Sequence, residues 1–127
     1  MTNMQVGYVN VYVTDFPAAV GFFGATLEFE QLMREDDLGY ATFDVGPITL
    51  GVARVDPDDE TQAAMVGGMS GIGFVVRDLD DEYARLVEAG VRFTQPPEAM
   101  PWGGYMALML DADENIYYLD QVPTDHL

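Results

Sequence analysis

The sequence has no cysteine and no lysine, and its one histidine, His126, is the second residue from the C-terminal end. The absence of cysteine excludes disulfides, thiolate metal sites and a cysteine nucleophile. Basic residues are also scarce. The chain has five arginines and 22 aspartates and glutamates, which gives a net charge of −17. A surface this negative repels nucleic acid and anionic lipid. We therefore predict that neither nucleic acid nor a membrane is a partner.

Long apolar runs are missing as well. No stretch of the chain approaches the roughly 20 apolar residues of a membrane-spanning helix, and the first residues carry no basic charge of the kind that begins a signal peptide. We therefore predict a cytoplasmic location. At 127 residues, of which 49% are hydrophobic, the chain is long enough for a single domain with a buried core.

The acidic residues admit two interpretations. They are scattered over loops and the ends of predicted elements, which is typical of solvated surface charge, as in salt-adapted proteins. The second interpretation is that the negative surface attracts a cationic ligand. The first is the more common situation, and composition alone leaves both open. His126 is interpreted as a residue of the C-terminal tail rather than as a metal ligand.

A repeated pattern organises what is present. An apolar run that ends in Asp and a large apolar residue occurs at 8–16 and again at 71–79, with the two aspartates, Asp15 and Asp78, 63 positions apart. A repeat of about half the chain indicates a duplicated supersecondary unit. We predict a first module over 4–55, a linker over 56–69 and a second module over 70–122, within one domain of 1–127.

Each half follows the same order of elements. In the first half, Val9, Val11 and Val13 alternate as in a strand, Asp15 caps a helix over 17–27, and strands follow at 28–34, 40–45 and 48–55. In the second half, a strand containing Ile72 and Val76 precedes a helix over 80–89, and strands follow at 91–94, 104–110 and 115–121. Within that helix Tyr83, Leu86 and Val87 are predicted to face inward, and 95–101 is predicted to be a rigid loop.

The predicted fold class is therefore α+β. Each βαβββ module has one sheet face covered by its helix and the other face free. Two such curved mixed sheets, side by side, would enclose a central cavity of the kind that binds ligands.

Four short motifs follow one another along the chain, namely Phe22-Phe23, Leu27-Glu28-Phe29, Pro101-Trp102-Gly103-Gly104 and Asp111-Ala112-Asp113-Glu114-Asn115. In this order they resemble the vicinal oxygen chelate superfamily, which contains glyoxalases, bleomycin-resistance proteins and extradiol dioxygenases. The family has Leu-Gly-Phe at the second motif and an Asp-Pro-Asp-Gly-Asn turn at the fourth, and the resemblance covers about 6–122.

The resemblance also implies where a metal would bind. Family enzymes hold a divalent ion through a His on each first strand and a Glu on each last strand, and those positions fall here at Tyr8, Gly71, Tyr118 and either Thr49 or Gly51. None of these is a good ligand for such an ion. We therefore predict no metal and no cofactor. Asp44 and Asp120 are strand acids that could replace the missing ligands, although solvated surface acids are the more common case.

Strand alternation predicts what would line the cavity instead. If the valines of the first strand pack under the helix, the residues between them face the other way. Aromatic rings there could stack on a flat ligand or hold a cation, although they could equally fill the core. The predicted ligand-binding residues are Tyr8, Asn10, Tyr12, Tyr40, Thr49, Gly71, Gly73, Trp102, Tyr105 and Tyr118; no catalytic residue is assigned.

Three functions fit these features. The favoured one is a metal-independent protein that binds a small molecule, such as a cationic aromatic compound or antibiotic, as the bleomycin-resistance branch does. The second is a lyase, isomerase or dioxygenase with displaced metal ligands, so whether the chain is an enzyme stays open. The third is a module without a ligand of its own. Because members of the superfamily often pair, we expect a homodimer.

Overall fold

A computed structural model describes residues 2–122 of the chain, and His126 lies outside this range. The described residues divide into two compact units between Val66 and Gly67. Each unit contains one four-stranded mixed sheet and a helix that follows the first strand of that sheet. The α+β class and the twofold βαβββ order are thus confirmed. Within the described range, no helix is both long and apolar enough to cross a membrane.

The first unit builds its sheet in the order β1-β4-β3-β2, with β1 parallel to β4 and the other neighbours antiparallel. A short helix, α2, follows the sheet within the predicted linker. The elements are β1 (Tyr8–Val13), α1 (Phe16–Gly21), β2 (Glu30–Glu35), β3 (Tyr40–Asp44), β4 (Thr49–Arg54) and α2 (Glu60–Ala63).

Helix α1 begins where its cap dictates. The side chain of Asp15 accepts a hydrogen bond from the backbone N–H of Ala18 at 3.1 Å, which satisfies an otherwise unpaired donor of the first turn. The predicted helix over 17–27 is confirmed, and its second half, Phe22–Thr26, is π-helical. The wider turn carries Phe23 into the core, where its ring lies 5.8 Å from that of Phe43.

The hydrophobic core of the first unit lies between α1 and the sheet. The prediction that the valines of β1 face the helix is confirmed, since Val11 and Val13 are buried while Tyr8, on the alternate face, is 63% exposed. The linker prediction missed α2, whose N-cap Asp59 accepts hydrogen bonds from two backbone N–H groups of the first turn.

The second unit repeats the arrangement, with the strand order β5-β8-β7-β6 and β5 parallel to β8. Leu79 and Leu86 of its helix are fully buried, and its N-cap Asp78 accepts from the backbone N–H of Asp81 at 3.1 Å. The elements are β5 (Gly68–Val76), α3 (Leu79–Glu88), β6 (Arg92–Ala99), β7 (Tyr105–Leu110) and β8 (Asn115–Gln121).

Two predictions in the second unit are wrong. Val87 is 47% exposed rather than inward, because Leu86 already occupies the buried stripe of α3. The predicted loop over 95–101 is mostly strand, since β6 continues to Ala99. Pro96 and Pro97 lack an N–H, yet they fit there because β6 is an edge strand with irregular register between Gln95 and Glu98.

A buried hydrogen-bond network holds the turn between β7 and β8. Asp111 is 3% exposed, and its carboxylate accepts four hydrogen bonds. The backbone N–H groups of Asp113 and Asn115 donate to Oδ1, at 2.9 and 3.0 Å. The Asn115 side-chain amide and the Tyr117 hydroxyl donate to Oδ2, at 2.9 and 2.7 Å. Burial, together with the Asp111 charge, raises the pKa of Tyr117 far above its usual range, so its hydroxyl stays protonated and keeps donating.

Glu28 and Glu114 are the only non-glycine residues among 2–122 with a left-handed backbone, at φ 66° and 64°. Both stand where the resemblance has Gly. A Cβ in this conformation costs roughly 1 kcal/mol, part of which is offset because glycine has more freedom in the unfolded chain. We therefore expect Glu28→Gly to raise the free energy of unfolding by about 0.5 kcal/mol in urea denaturation.

The matched control is Glu28→Ala, which removes the same charge but keeps the Cβ. If the alanine variant gained as much stability as the glycine variant, relief of charge repulsion rather than of backbone strain would be the cause.

Candidate functional site

The helix-free face of the first sheet carries half of the predicted site residues. We use "helix-free face" for the side of a sheet opposite to the one that packs against its helix. Strand alternation and the register place successive rows of side chains on this face. It carries Tyr8, Asn10 and Tyr12 of β1, Tyr40, Thr42 and Asp44 of β3, and Thr49, Gly51 and Ala53 of β4.

A hydrogen bond crosses the middle of this face. The Tyr40 hydroxyl on β3 donates to Asn10 Oδ1 on β1 at 3.0 Å, although β4 lies between these two strands. The bond passes directly above Gly51 of β4. A Cβ at Gly51 would overlap both Asn10 Oδ1 and the Tyr40 hydroxyl. Gly51 is thus required so that the two side chains can meet.

The phenol of Tyr40 remains neutral over the ordinary pH range. Partial burial raises the pKa of Tyr40, and the neighbouring phenols of Tyr8 and Tyr12 raise it further. A neutral phenol donates a hydrogen bond and presents an electron-rich ring to a ligand. The face is therefore suited to hold a flat or cationic group rather than to act as a base at neutral pH.

The sheet registers decide which residue of β4 corresponds to Tyr118. Asn10 pairs with Gly51 in the first sheet, and Gly73, 63 positions after Asn10, pairs with Tyr118 in the second. Gly51 is thus the counterpart of Tyr118, and Thr49 lies one row further along, opposite Tyr8.

The second sheet has a helix-free face of different character. Tyr118 of β8 lies across from Gly73 of β5 and Leu108 of β7, and Asp120 lies on the same face two residues further along β8. The pairing of β5 with β8 shifts register between Met69 and Gly73, and Gly71 lies within this stretch with a φ of 78°. Gly71 therefore belongs to a β-bulge and does not continue the row of side-chain positions that contains Gly73. Apolar side chains complete the face, namely Val75, Met106, Leu108, Leu110 and Ile116.

Two predicted site residues lie elsewhere. Tyr105 is on the helix-covered face of the second sheet, where its hydroxyl donates to Asp80 Oδ1 of α3 at 2.6 Å. This bond raises the pKa of Tyr105 and ties β7 to the start of α3, so Tyr105 leaves the candidate set. Trp102 is 71% exposed in the turn before β7, with its indole folded over Gly104.

The side chains that could ligate a metal are dispersed. Within residues 2–122, no three His, Cys, Asp or Glu side chains come together in an arrangement that could hold a metal ion. Asp44, one of the proposed replacement ligands, is exposed, and its Oδ1 accepts from the backbone N–H of Gly46 at 3.1 Å. Asp120, the other, lies on the helix-free face of the second sheet.

Comparison with known proteins identifies the family. A model described as Glyoxalase/Bleomycin resistance protein/Dioxygenase superfamily matches residues 5–117. A solved member of that superfamily from Sphaerobacter thermophilus is 30% identical, with a TM-score of 0.80 over 94% of this chain and 98% of the other. The uncharacterized protein YraH of Bacillus subtilis is 27% identical in an alignment 125 residues long. This alignment covers 89% of this chain and 94% of YraH.

A third relative carries a functional description. TnmS3, an antibiotic binding protein from Streptomyces sp. CB03234, is 26% identical, with a TM-score of 0.75 over 95% of this chain and 98% of TnmS3. The fold, the order of motifs and the extent of the family match agree with one another. The chain belongs to the glyoxalase/bleomycin resistance protein/dioxygenase superfamily.

Proposed function

We propose that this chain binds a cationic aromatic small molecule, such as an antibiotic, on the tyrosine-bearing helix-free face of its first sheet and without a metal. The observation that carries the proposal is the surface formed by Tyr8, Tyr12 and the hydrogen-bonded pair of Tyr40 and Asn10. Tyr8 occupies a position at which, by the resemblance, enzymes of the superfamily hold a metal ligand.

The chemistry of this surface favours binding over metal-assisted catalysis. A metal in this superfamily would act as a Lewis acid on two adjacent oxygens, which needs imidazole or carboxylate ligands. Phenols and glycines stand at the implied positions, namely Tyr8, Gly51, Gly71 and Tyr118. Aromatic rings on a pleated surface instead offer stacking and cation–π contacts, each worth on the order of 1 kcal/mol.

The acidity of the chain supports a cationic ligand. With a net charge of −17, the protein attracts small cations and raises their concentration near its surface. The similarity to TnmS3, itself described as an antibiotic binding protein, supports the same class of ligand.

Calorimetric titration tests the proposal. With N-methylacridinium and with bleomycin as probes, we expect saturable binding that weakens as salt is added, because salt screens the attraction between the protein and a cation. Tyr8→Leu is expected to lower the affinity for N-methylacridinium on the order of tenfold, since one ring contact with a cation is lost. The exposure of Tyr8 means that this substitution leaves the fold intact.

The matched control is Tyr105→Leu, the same substitution on the helix-covered face, which should leave the affinity unchanged. Absence of saturable heat with either probe up to millimolar concentrations would contradict the proposal. If Tyr105→Leu lowered the affinity for N-methylacridinium as much as Tyr8→Leu did, the ligand would not be bound specifically on the helix-free face.

A further inference from the structure

Asp120 lies on the helix-free face of the second sheet, in a row formed otherwise by apolar side chains. It pairs with Val75 of β5 on one side and with Met106 of β7 on the other. Tyr118 precedes it by two residues on β8 and therefore presents its ring on the same face. The carboxylate thus stands at the edge of an aromatic and aliphatic surface.

Within residues 2–122, no side-chain or backbone N–H donates to the Asp120 carboxylate and no arginine pairs with it. Both of its oxygens still reach solvent, because no fully buried side-chain oxygen in this range lacks a hydrogen bond. Gly73 leaves space beside it, since a Cβ at Gly73 would lie 3.8 Å from Asp120 Oδ2. A ligand group can therefore approach the carboxylate over Gly73.

Other aspartates of the sheets have clear structural roles. The Asp111 carboxylate is buried and accepts four hydrogen bonds, and Asp44 is exposed and accepts from Gly46 N–H. Asp120 differs from both, because it is half-buried and accepts no hydrogen bond from a residue among 2–122. Its burial raises the pKa of the carboxyl. A positively charged ligand group would offset this desolvation cost.

We infer that the helix-free face of the second sheet is a binding surface of its own, on which the Asp120 carboxylate pairs with the positive charge of an aromatic ligand and selects cationic ligands over neutral ones; the ligand class rests on the proposed function. N-methylacridinium then has one binding surface on each sheet, and Tyr8→Leu and Asp120→Asn each weaken binding at one of them. The ligand class is an aromatic compound that carries an ammonium, pyridinium or guanidinium group. Its ring lies against Tyr118 and its charge lies beside Asp120, over the space left by Gly73. A partly desolvated pair of this kind contributes more than an exposed ion pair does.

Two probes of nearly the same shape isolate the charge. N-methylacridinium is permanently cationic, whereas acridine is neutral in mildly alkaline buffer. We expect the wild type to bind N-methylacridinium more tightly than acridine in calorimetric titrations. Asp120→Asn keeps the shape of the side chain and is expected to weaken N-methylacridinium binding by roughly tenfold to a hundredfold. Its affinity for acridine should stay the same.

Asp58→Asn is the matched control, because it removes an equal charge from an exposed residue outside both sheets. If Asp58→Asn weakened N-methylacridinium binding as much as Asp120→Asn did, the overall charge and not Asp120 would govern selectivity, and the inference would be wrong. An equal loss of acridine binding in Asp120→Asn would also overturn it, since that indicates a structural role. Binding of neither probe by the wild type overturns the proposed function itself, and this inference with it.

Discussion

Replacing Asp111 by alanine is expected to lower the free energy of unfolding by about 3–5 kcal/mol, because each buried donor that stays without an acceptor costs about 1–3 kcal/mol. The substitution leaves two backbone N–H groups, the Asn115 amide and the Tyr117 hydroxyl without their acceptor. All four donors are attached to residues of the β7–β8 turn or of β8. The loss is a large fraction of the roughly 5–15 kcal/mol that stabilises a typical domain.

The network also explains why the effect should spread beyond the turn. Asn115, which Asp111 holds through its side-chain amide, accepts from the backbone N–H of Gly67 through Oδ1 at 2.8 Å. Gly68 N–H in turn donates to the carbonyl of Glu114 at 3.0 Å. The turn thereby fixes the start of β5 against the start of β8, so its loss weakens the parallel pair of the second sheet.

Urea denaturation of Asp111→Ala, Tyr117→Phe and Asp58→Ala measures the effect. Tyr117→Phe removes one of the four donors and is expected to cost about 1–2 kcal/mol. Asp58→Ala removes an exposed charge and should stay within about 0.5 kcal/mol of the wild type. If Asp111→Ala were as stable as Asp58→Ala, the network would have no part in holding the second sheet.

Replacing Gly51 by valine is expected to reduce ligand binding roughly a hundredfold, which corresponds to about 2.7 kcal/mol. The new side chain would occupy the volume in which the Tyr40 hydroxyl meets Asn10 Oδ1. The overlapping atoms belong to the free ends of two side chains, so both can turn away while the strands stay paired. The displaced ring and the valine then fill the surface that the ligand would occupy.

The free energy of unfolding of Gly51→Val should fall by about 0–2 kcal/mol. Overpacking of this kind costs about 1–3 kcal/mol, and the higher strand propensity of valine offsets about 1 kcal/mol of that cost. The pKa of Tyr40, which burial and the neighbouring phenols now raise, should fall toward its ordinary value as the ring becomes exposed. Calorimetry with N-methylacridinium and an ultraviolet titration of the tyrosines measure the two effects.

Gly21→Ala is the matched control for Gly51→Val, because a Cβ at Gly21 meets no atom within 4 Å and the residue lies in α1, away from the helix-free face. It should bind N-methylacridinium as the wild type does. Unchanged binding in Gly51→Val would show that the Tyr40–Asn10 pair is not part of the ligand surface.

Much of the fold could be predicted because each local signal pointed to the same arrangement. The alternation of valines in β1, the capping aspartates Asp15 and Asp78 and the repeat between the halves all act over short stretches of sequence. They fixed which face of β1 packs against α1, and so they identified Tyr8, Asn10 and Tyr12 correctly as residues of the opposite face.

Other features depend on information that alternation does not carry. In β7, Tyr105, Ala107 and Met109 alternate with Met106, Leu108 and Leu110, so both faces are apolar and the pattern cannot tell which one the helix covers. Tyr105 was misplaced for this reason. The Tyr40–Asn10 bond was missed because it joins two strands that are not neighbours, and its geometry depends on the strand between them.

The prolines of β6 affect how this protein behaves at high concentration. β6 is one outer strand of its sheet, and a flat outer strand with free N–H groups can recruit a strand from another molecule. Pro96 and Pro97 have no backbone N–H that could donate to a strand of another molecule. The irregular register around them also makes the strand less flat, which disfavours such pairing. That border of the second sheet is therefore protected against edge-to-edge aggregation.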